Sequence, residues 1–377
     1  MQDEKLKEKL RREASQAAPA MEAEEQLKRA EERRPGSRLA MVLRFVVPVA
    51  LTVVLLWYMF RKVDFASMMA ILREGVDYWW ILLAMGISIF SHVFRAARWR
   101  LQLRALGIEA PFMALCCSIF GCYALNLVFP RLGEVWRCTY VSKIGRAPFT
   151  TVLGSMVSDR LTDTASVLLL TLLTFIVANS AITAFLHKYP IGQDFLRLIA
   201  NPFFWGAVVV GILCVASIFY LGRNTRLVGK LWQWLKELWL GFATLWHMKG
   251  RLLFALLTVG IWGCFFVQLY VAFFAFDFTR ALCAEPALGF GLTPCLVAFV
   301  LSSIGMAIPS NGGLGPWNIA IMFGLAVYGI TDTEGTAFSM VQWSGQTVML
   351  IILGVYTLLY ITFFSKSKAL SPKLSNP

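Results

Sequence analysis

Arg131, Glu134, Arg137, Asp159, Arg160 and Asp163 lie in or beside apolar stretches in the first half of this chain. Three are cations and three are anions, so the set is neutral when all are ionised. A charge at the centre of a bilayer costs ~2.5–3.5 kcal/mol even on the lowest scales, so such residues face one another or a wet cavity and mark a site. Glu134 and Arg137 are three apart, and Asp159 and Asp163 are four apart, spacings that put each pair on one helical face. Two chemistries are open to the set. A closed network is a structural ion-pair lock between segments. A network that leaves one of Arg131, Arg137 or Arg160 partly free holds a phosphate, because a guanidinium binds it in bidentate fashion. Glu134, Asp159 and Asp163 then balance the charge or carry protons. Arg95 and Arg98 sit at the end of another apolar run. They read as snorkelling interfacial cations, or as recruiters of an anionic headgroup.

A second feature is the run Pro309-Ser310-Asn311-Gly312-Gly313-Leu314-Gly315-Pro316, which breaks an apolar stretch. A helix that restarts there exposes unpaired backbone N–H groups and a partial positive charge. Pro316 suits the first helical position. Gly312, Gly313 and Gly315 let backbone amides approach a ligand closely. Asn311 and these glycines are therefore candidate anion contacts. The competing reading is a hairpin tip whose glycines serve close helix packing.

These residues need elements to hold them, and composition says which. The chain is 58% hydrophobic and 15% charged, well below the charge of a soluble domain, so it reads as a polytopic membrane protein. Trp57, Trp79, Trp80, Trp99 and Trp205 stand near ends of apolar runs, as in an aromatic belt. No ten-residue alternating runs suggest a β-barrel. The eight cysteines include no CxxC and read as buried thiols. His92, His187 and His247 lack ligand-spaced companions, so no metal and no cofactor are expected.

The pattern predicts an all-α fold with about six full spans: 41–60, 78–97, 150–178, 203–221, 251–275 and 336–363. Two broken segments, 112–129 with 133–145 and 293–308 with 317–330, predict re-entrant helical hairpins entering from opposite sides. Residues 226–247 predict an amphipathic surface helix. Residues 1–38 form a charged cytoplasmic tail with ten Lys/Arg and nine Asp/Glu. The membrane domain is 39–365, in halves of about 39–186 and 200–365, and 366–377 is a short second tail. Six basic residues, Arg61, Lys62, Arg73, Lys188, Arg197 and Arg280, fall in loops read as external, while Lys and Arg crowd the others. Both termini are therefore expected in the cytoplasm, with the chain integral to a bacterial plasma (inner) membrane.

The halves echo each other. "FPRLGEVW" at 129–136 parallels "NGGLGPW" at 311–317, and the sequences beginning at Gly145 and Gly329 both end in SMV. An inverted repeat with broken helices is expected, an arrangement that carriers use to build a midplane site. The second half lacks the charges: Gln342 and Trp343 stand where Ser158 and Asp159 follow the first SMV.

The stretches "NLVFPRLGEVWRCTYVSKIG", "VSDRLTDTASVLLL" and "AIPSNGGLGPWNIAI" together resemble the transmembrane region of lysylphosphatidylglycerol synthases, a family of flippase-like membrane proteins. Its Pro-x-x-Gly-Glu-x-x-Arg segment falls on Pro130, Gly133, Glu134 and Arg137. Its Glu-Arg-x-x-Asp segment falls on Asp159, Arg160 and Asp163, with Asp in place of Glu. Its Pro-Gly-Gly-x-Gly segment falls near Pro309, Gly312, Gly313 and Gly315. The resemblance covers about residues 40–365. The chain ends soon after its last apolar run, so the resemblance implies the lipid-translocating module rather than the synthase. The leading expectation is leaflet-to-leaflet translocation of a lipid or lipid-linked headgroup, anionic or phosphate-bearing, with no nucleic-acid partner. A membrane-embedded transferase using Glu134 or Asp159 as base, and a non-transporting scaffold, are the rivals. The oligomeric state is not legible.

Overall fold

In the computed structural model the described residues are 64–129, 131–179 and 250–370, with Val53, Val54, Trp57 and Pro202 besides. The tail 1–38, the spans expected at 41–60 and 203–221, the surface helix expected at 226–247 and Pro130 lie outside the described residues, apart from those isolated positions. Residues 1–50 form one unit, and residues 51–377, which carry every helix named below, form the other.

The described residues are all-α. Helix α1 (Phe65–Glu74) is capped by Asp64, whose carboxylate accepts from the Ala66 and Ser67 amides. Asp77 caps α2 (Tyr78–Ala105) in the same way through the Trp79 amide. The chain continues through α3 (Phe112–Val128), α4 (Leu132–Gly145) and α5 (Phe149–Val177). Then come α6 (Arg251–Ala272), the short α7 (Asp277–Ala284), α8 (Leu292–Gly305), α9 (Pro316–Ala326) and α10 (Asp332–Leu370). An isolated antiparallel bridge joins Val76 to Phe276 beside α7.

Among the described residues, five helical segments are long and apolar enough to cross a membrane: 78–105, 149–177, 251–275, 286–305 and 332–363. Four coincide with expected spans. The fifth contains the hairpin arm expected from 293, which a 3-10 turn at Pro286–Leu288 extends to crossing length. A long helix, two shorter ones and a long helix follow in order as α2, α3–α4, α5, and α6, α8–α9, α10 follow a similar order with the short α7 inserted between α6 and α8.

Apolar side chains divide between the outside and two interior clusters. Leu168, Leu169, Leu172 and Ile176 of α5 stay exposed, as a lipid-facing flank would. One cluster centres on Phe273, Phe276, Ala298, Leu325 and Phe338, where α6, α8, α9 and α10 meet. The other holds Trp99, Leu115, Ile119, Cys138 and Val152, from α2, α3, α4 and α5. Trp99 is thus not part of an aromatic belt: it is fully buried, while Trp79 is 73% exposed. Small residues set the close approaches. A Cβ on Gly133 would stand 2.0 Å from the Cys122 carbonyl, so only glycine lets α4 lie against α3.

Candidate functional site

Three helices deliver seven ionisable side chains to one place. Helix α2 contributes Arg95 and Arg98, α4 contributes Glu134 and Arg137, and α5 contributes Asp159, Arg160 and Asp163. Arg98 is the hub. Its Nη2 lies 2.6 Å from Asp159 Oδ1 and 2.7 Å from Asp163 Oδ1, and its Nε donates to Asp159 Oδ1 at 3.0 Å. Its Nη1 donates to Thr258 of α6 at 3.3 Å. Arg95 donates to Asp163 Oδ2 and lies 3.8 Å from Asp159 Oδ2. At the edge, Arg160 pairs with Glu134 at 3.2 Å and with Asp163 at 3.7 Å. The four-residue spacing of Asp159 and Asp163 is what lets one guanidinium span both.

Arg137 is held differently. It is fully buried, and its guanidinium carbon lies 3.7 Å from the centre of the Trp99 ring, a cation–π stack. The Trp99 N–H donates to Ser155 of α5 at 3.0 Å, which fixes the plane of that platform. Arg137 Nη2 stands 3.7 Å from Asp159 Oδ2, within ion-pair range but beyond a hydrogen bond. Among the described residues none of its three nitrogens has a hydrogen-bond partner, and neither does Asp159 Oδ2. Buried donors of this kind are ordinarily satisfied. With all three carboxylates ionised, four arginines leave one positive charge in excess.

The placements differ from the sequence reading at several points. Arg95 and Arg98, expected at an interface as snorkelling cations or headgroup recruiters, are 3% and 0% exposed and paired to α5. Arg131, expected in the charged set, is an exposed left-handed residue (φ 64°) at the start of α4, with no ion pair among the described residues. Glu134 pairs with Arg160 rather than with Arg137, whose guanidinium lies over the Trp99 ring.

The two hairpin tips meet each other. Asn311 Nδ2 donates to the Val128 carbonyl at the end of α3 at 3.1 Å, and the Trp343 indole donates to the Gly312 carbonyl at 2.9 Å. Gly312, Gly313 and Gly315 all have positive φ (57°, 82° and 91°), which explains glycine there. A Cβ on Gly312 would lie 2.6 Å from Leu127, so this face of the tip is packed by protein. An asparagine accepts at the start of each restarting helix: Gly133 N–H donates to Oδ1 of Asn126, on α3, at 2.9 Å, and Gly315 N–H to Asn318 Oδ1 at 3.1 Å. Among the described residues no hydrogen bond or ion pair joins Asn311–Gly315 to the arginine network. No group of three His, Cys, Asp or Glu side chains gathers among them as a metal would require.

The motifs at 133–137 and 159–163 share the arginine network, and the 309–316 motif meets the end of α3. A family model described as the lysylphosphatidylglycerol synthase TM region matches residues 45–354. The chain belongs to that family. In this lysylphosphatidylglycerol synthase TM-region chain, the matched range takes in every member of the network. UPF0104 membrane protein MJ1595 of Methanocaldococcus jannaschii is 28% identical over 109 residues. That alignment covers 28% of the chain and about a third (32%) of the relative's length. The signal that sequence reading missed in this family member lies on α2. Ser88, His92, Arg95, Trp99 and Gln102 recur every four, three, four and three residues, and all five are buried. A polar residue repeating at helical period inside an apolar span marks an interior face.

Proposed function

We propose that this protein moves a phosphate-bearing lipid headgroup between leaflets of the plasma membrane while the acyl tails stay in lipid. The observation that carries the reading is Arg137: a fully buried guanidinium, braced on Trp99, with no hydrogen-bond partner among the described residues, inside a network with one excess positive charge. A planar fork of N–H donors in a low-dielectric setting is the recognition element for a phosphate oxygen pair. Asp159 keeps Arg98 as its main partner, so an arriving anion competes only with the long 3.7 Å contact to Arg137. Arg160, at 34% exposure the most open guanidinium of the network, is the second contact and the one facing arrival.

The same reading has the hairpins α3–α4 and α8–α9 entering from opposite sides, six full spans in inverted halves, and both termini cytoplasmic. The similar element order of the two halves and the contact between the two tips support it. Residues Asn311–Gly315 then seal the midplane beside the site.

Proteoliposomes carrying acyl-chain-labelled anionic phospholipid test the transport step. Arg137→Ala is expected to lower leaflet exchange by about tenfold or more, the loss of a charge-assisted hydrogen bond, while the purified protein keeps its thermal transition. Equal rates for wild type and variant would remove Arg137 from the mechanism.

A further inference from the structure

Helix α4 is held by different means on its two sides. Against α3 it is fixed by close packing and a hydrogen bond. A Cβ on Gly121 would stand 2.5 Å from the Trp136 ring, and the Gly133 N–H donates to Asn126. Against α5, the later turns of α4 share an apolar cluster, Cys138 and Val141 with Val152 and Met156. Nearer its start, two ion pairs link α4 to α5: Glu134–Arg160 at 3.2 Å and Arg137–Asp159 at 3.7 Å. Val135 beside Glu134 and Leu161 beside Arg160 are exposed apolar side chains. The seam between α4 and α5 is therefore apolar and closed at one end, and ionic and bordered by outer apolar surface at the other.

Glu134–Arg160 is the most exposed pair of the network, and it is longer than the 2.6 and 2.7 Å contacts of Arg98. Exposure and distance both weaken a charge pair. Glu134 has no second cation among the described residues, whereas Arg160 has Asp163 at 3.7 Å. Arg160 Nε is buried and unpartnered among the described residues. The pair is thus the one contact of the network that can open without stranding a fully buried charge.

We propose that Glu134 is a built-in stand-in for the headgroup phosphate: its carboxylate occupies Arg160 until an anionic headgroup, entering between the first turns of α4 and α5, displaces it. This rests on the lipid-translocating reading above and gives Glu134 a selecting role within it. The exchange is isoelectric. One carboxylate charge leaves Arg160 and one phosphodiester charge arrives, so no guanidinium is left bare in a low-dielectric setting. An amphiphile without an anionic group has nothing to trade for the carboxylate, and the resting pair excludes it. Arg137, one turn along α4 and fully buried, is reached past the pair. The outer apolar residues beside the pair leave the acyl chains in lipid.

The test measures leaflet exchange of acyl-chain-labelled phosphatidylglycerol against its mole fraction in proteoliposomes of the full chain. Glu134→Gln removes the charge and keeps the shape. It is expected to lower the half-saturating mole fraction about tenfold, the factor of one charge-assisted hydrogen bond that no longer has a competitor, without raising the maximal rate. Glu134→Asp shortens the reach of the carboxylate. It is expected to shift half-saturation the same way by a smaller factor, and it decides if Glu134→Gln fails to fold. A half-saturation unchanged or raised in Glu134→Gln overturns the role and leaves a structural lock, read as a lower thermal transition alone. If no lipid exchanges above protein-free vesicles, the translocase reading fails. Titration of the detergent-solubilised protein with phosphatidylglycerol, followed by its thermal shift, then decides Glu134 separately. A midpoint about tenfold lower in Glu134→Gln supports the stand-in, and an equal or higher midpoint overturns it.

Discussion

Asp159 and Arg137 illustrate how differently two buried charges can be held. Asp159 has no exposed surface, is the main partner of Arg98, and lies within 3.8 Å of Arg95 and 3.7 Å of Arg137, while Asp163 shares Arg95 and Arg98 with it. Removing one member of a buried charge set leaves the others uncompensated, so Asp159→Asn is expected to cost about 3–5 kcal/mol of stability. Denaturation in detergent measures it. Asp163, with 13% of its side chain exposed, is partly solvated, and Asp163→Asn should cost less than Asp159→Asn in the same experiment. Arg137 adds little to that balance, because its nearest carboxylate oxygen lies 3.7 Å away. Its replacement therefore separates a binding role from a stabilising one. The network residues all sit in motifs or end-of-span positions visible in the sequence as charges among apolar neighbours. Their partners were not visible, since Arg98 and Asp159 are 61 residues apart and meet only when α2 packs on α5.

At the scale of elements, the breaks at 129–131 and 306–315 were legible from proline and glycine, and the structure ends helices at both. What the glycines do was less legible. Gly133 has no room for a methyl group against the Cys122 carbonyl and Asn126. Gly133→Ala is therefore expected to separate α3 from α4 and abolish the folded yield, read by monodispersity after solubilisation. Arg146 shows the opposite situation. It caps α4 in the left-handed region (φ 48°) with an exposed side chain. Arg146→Gly relieves that conformation and is expected to raise stability by roughly 1 kcal/mol, measurable as a higher melting temperature. On α2, period alone placed Ser88, His92, Arg95, Trp99 and Gln102 on one face, yet the apolar run around them reads as an ordinary span. The structure shows what covers that face: α3 through Tyr123, α5 through Ser155 and α6 through Thr258.

For the whole molecule, the proposed orientation has a direct consequence. Cysteines introduced at Arg146 and at Glu285 are expected to react with an impermeant maleimide from opposite sides of sealed vesicles, and one at Leu127 from neither. Labelling of Leu127→Cys by the aqueous reagent would mean that the hairpin tips do not meet inside the membrane. Apolar length, charge and helix-breaking residues already mark this as a helical membrane protein and show where most of its described long helices run and which residues interrupt them. Those properties are local: apolar length, charge and backbone-breaking residues act within a few turns. Tertiary packing alone shows which charges are partners, that Arg131 stands outside the network, that Arg95 and Arg98 stand inside it, and that Arg137 rests on Trp99 with no hydrogen bond among the described residues. Side-chain pairing across separate helices depends on crossing geometry and on which face each helix buries, and neither is encoded within any single segment.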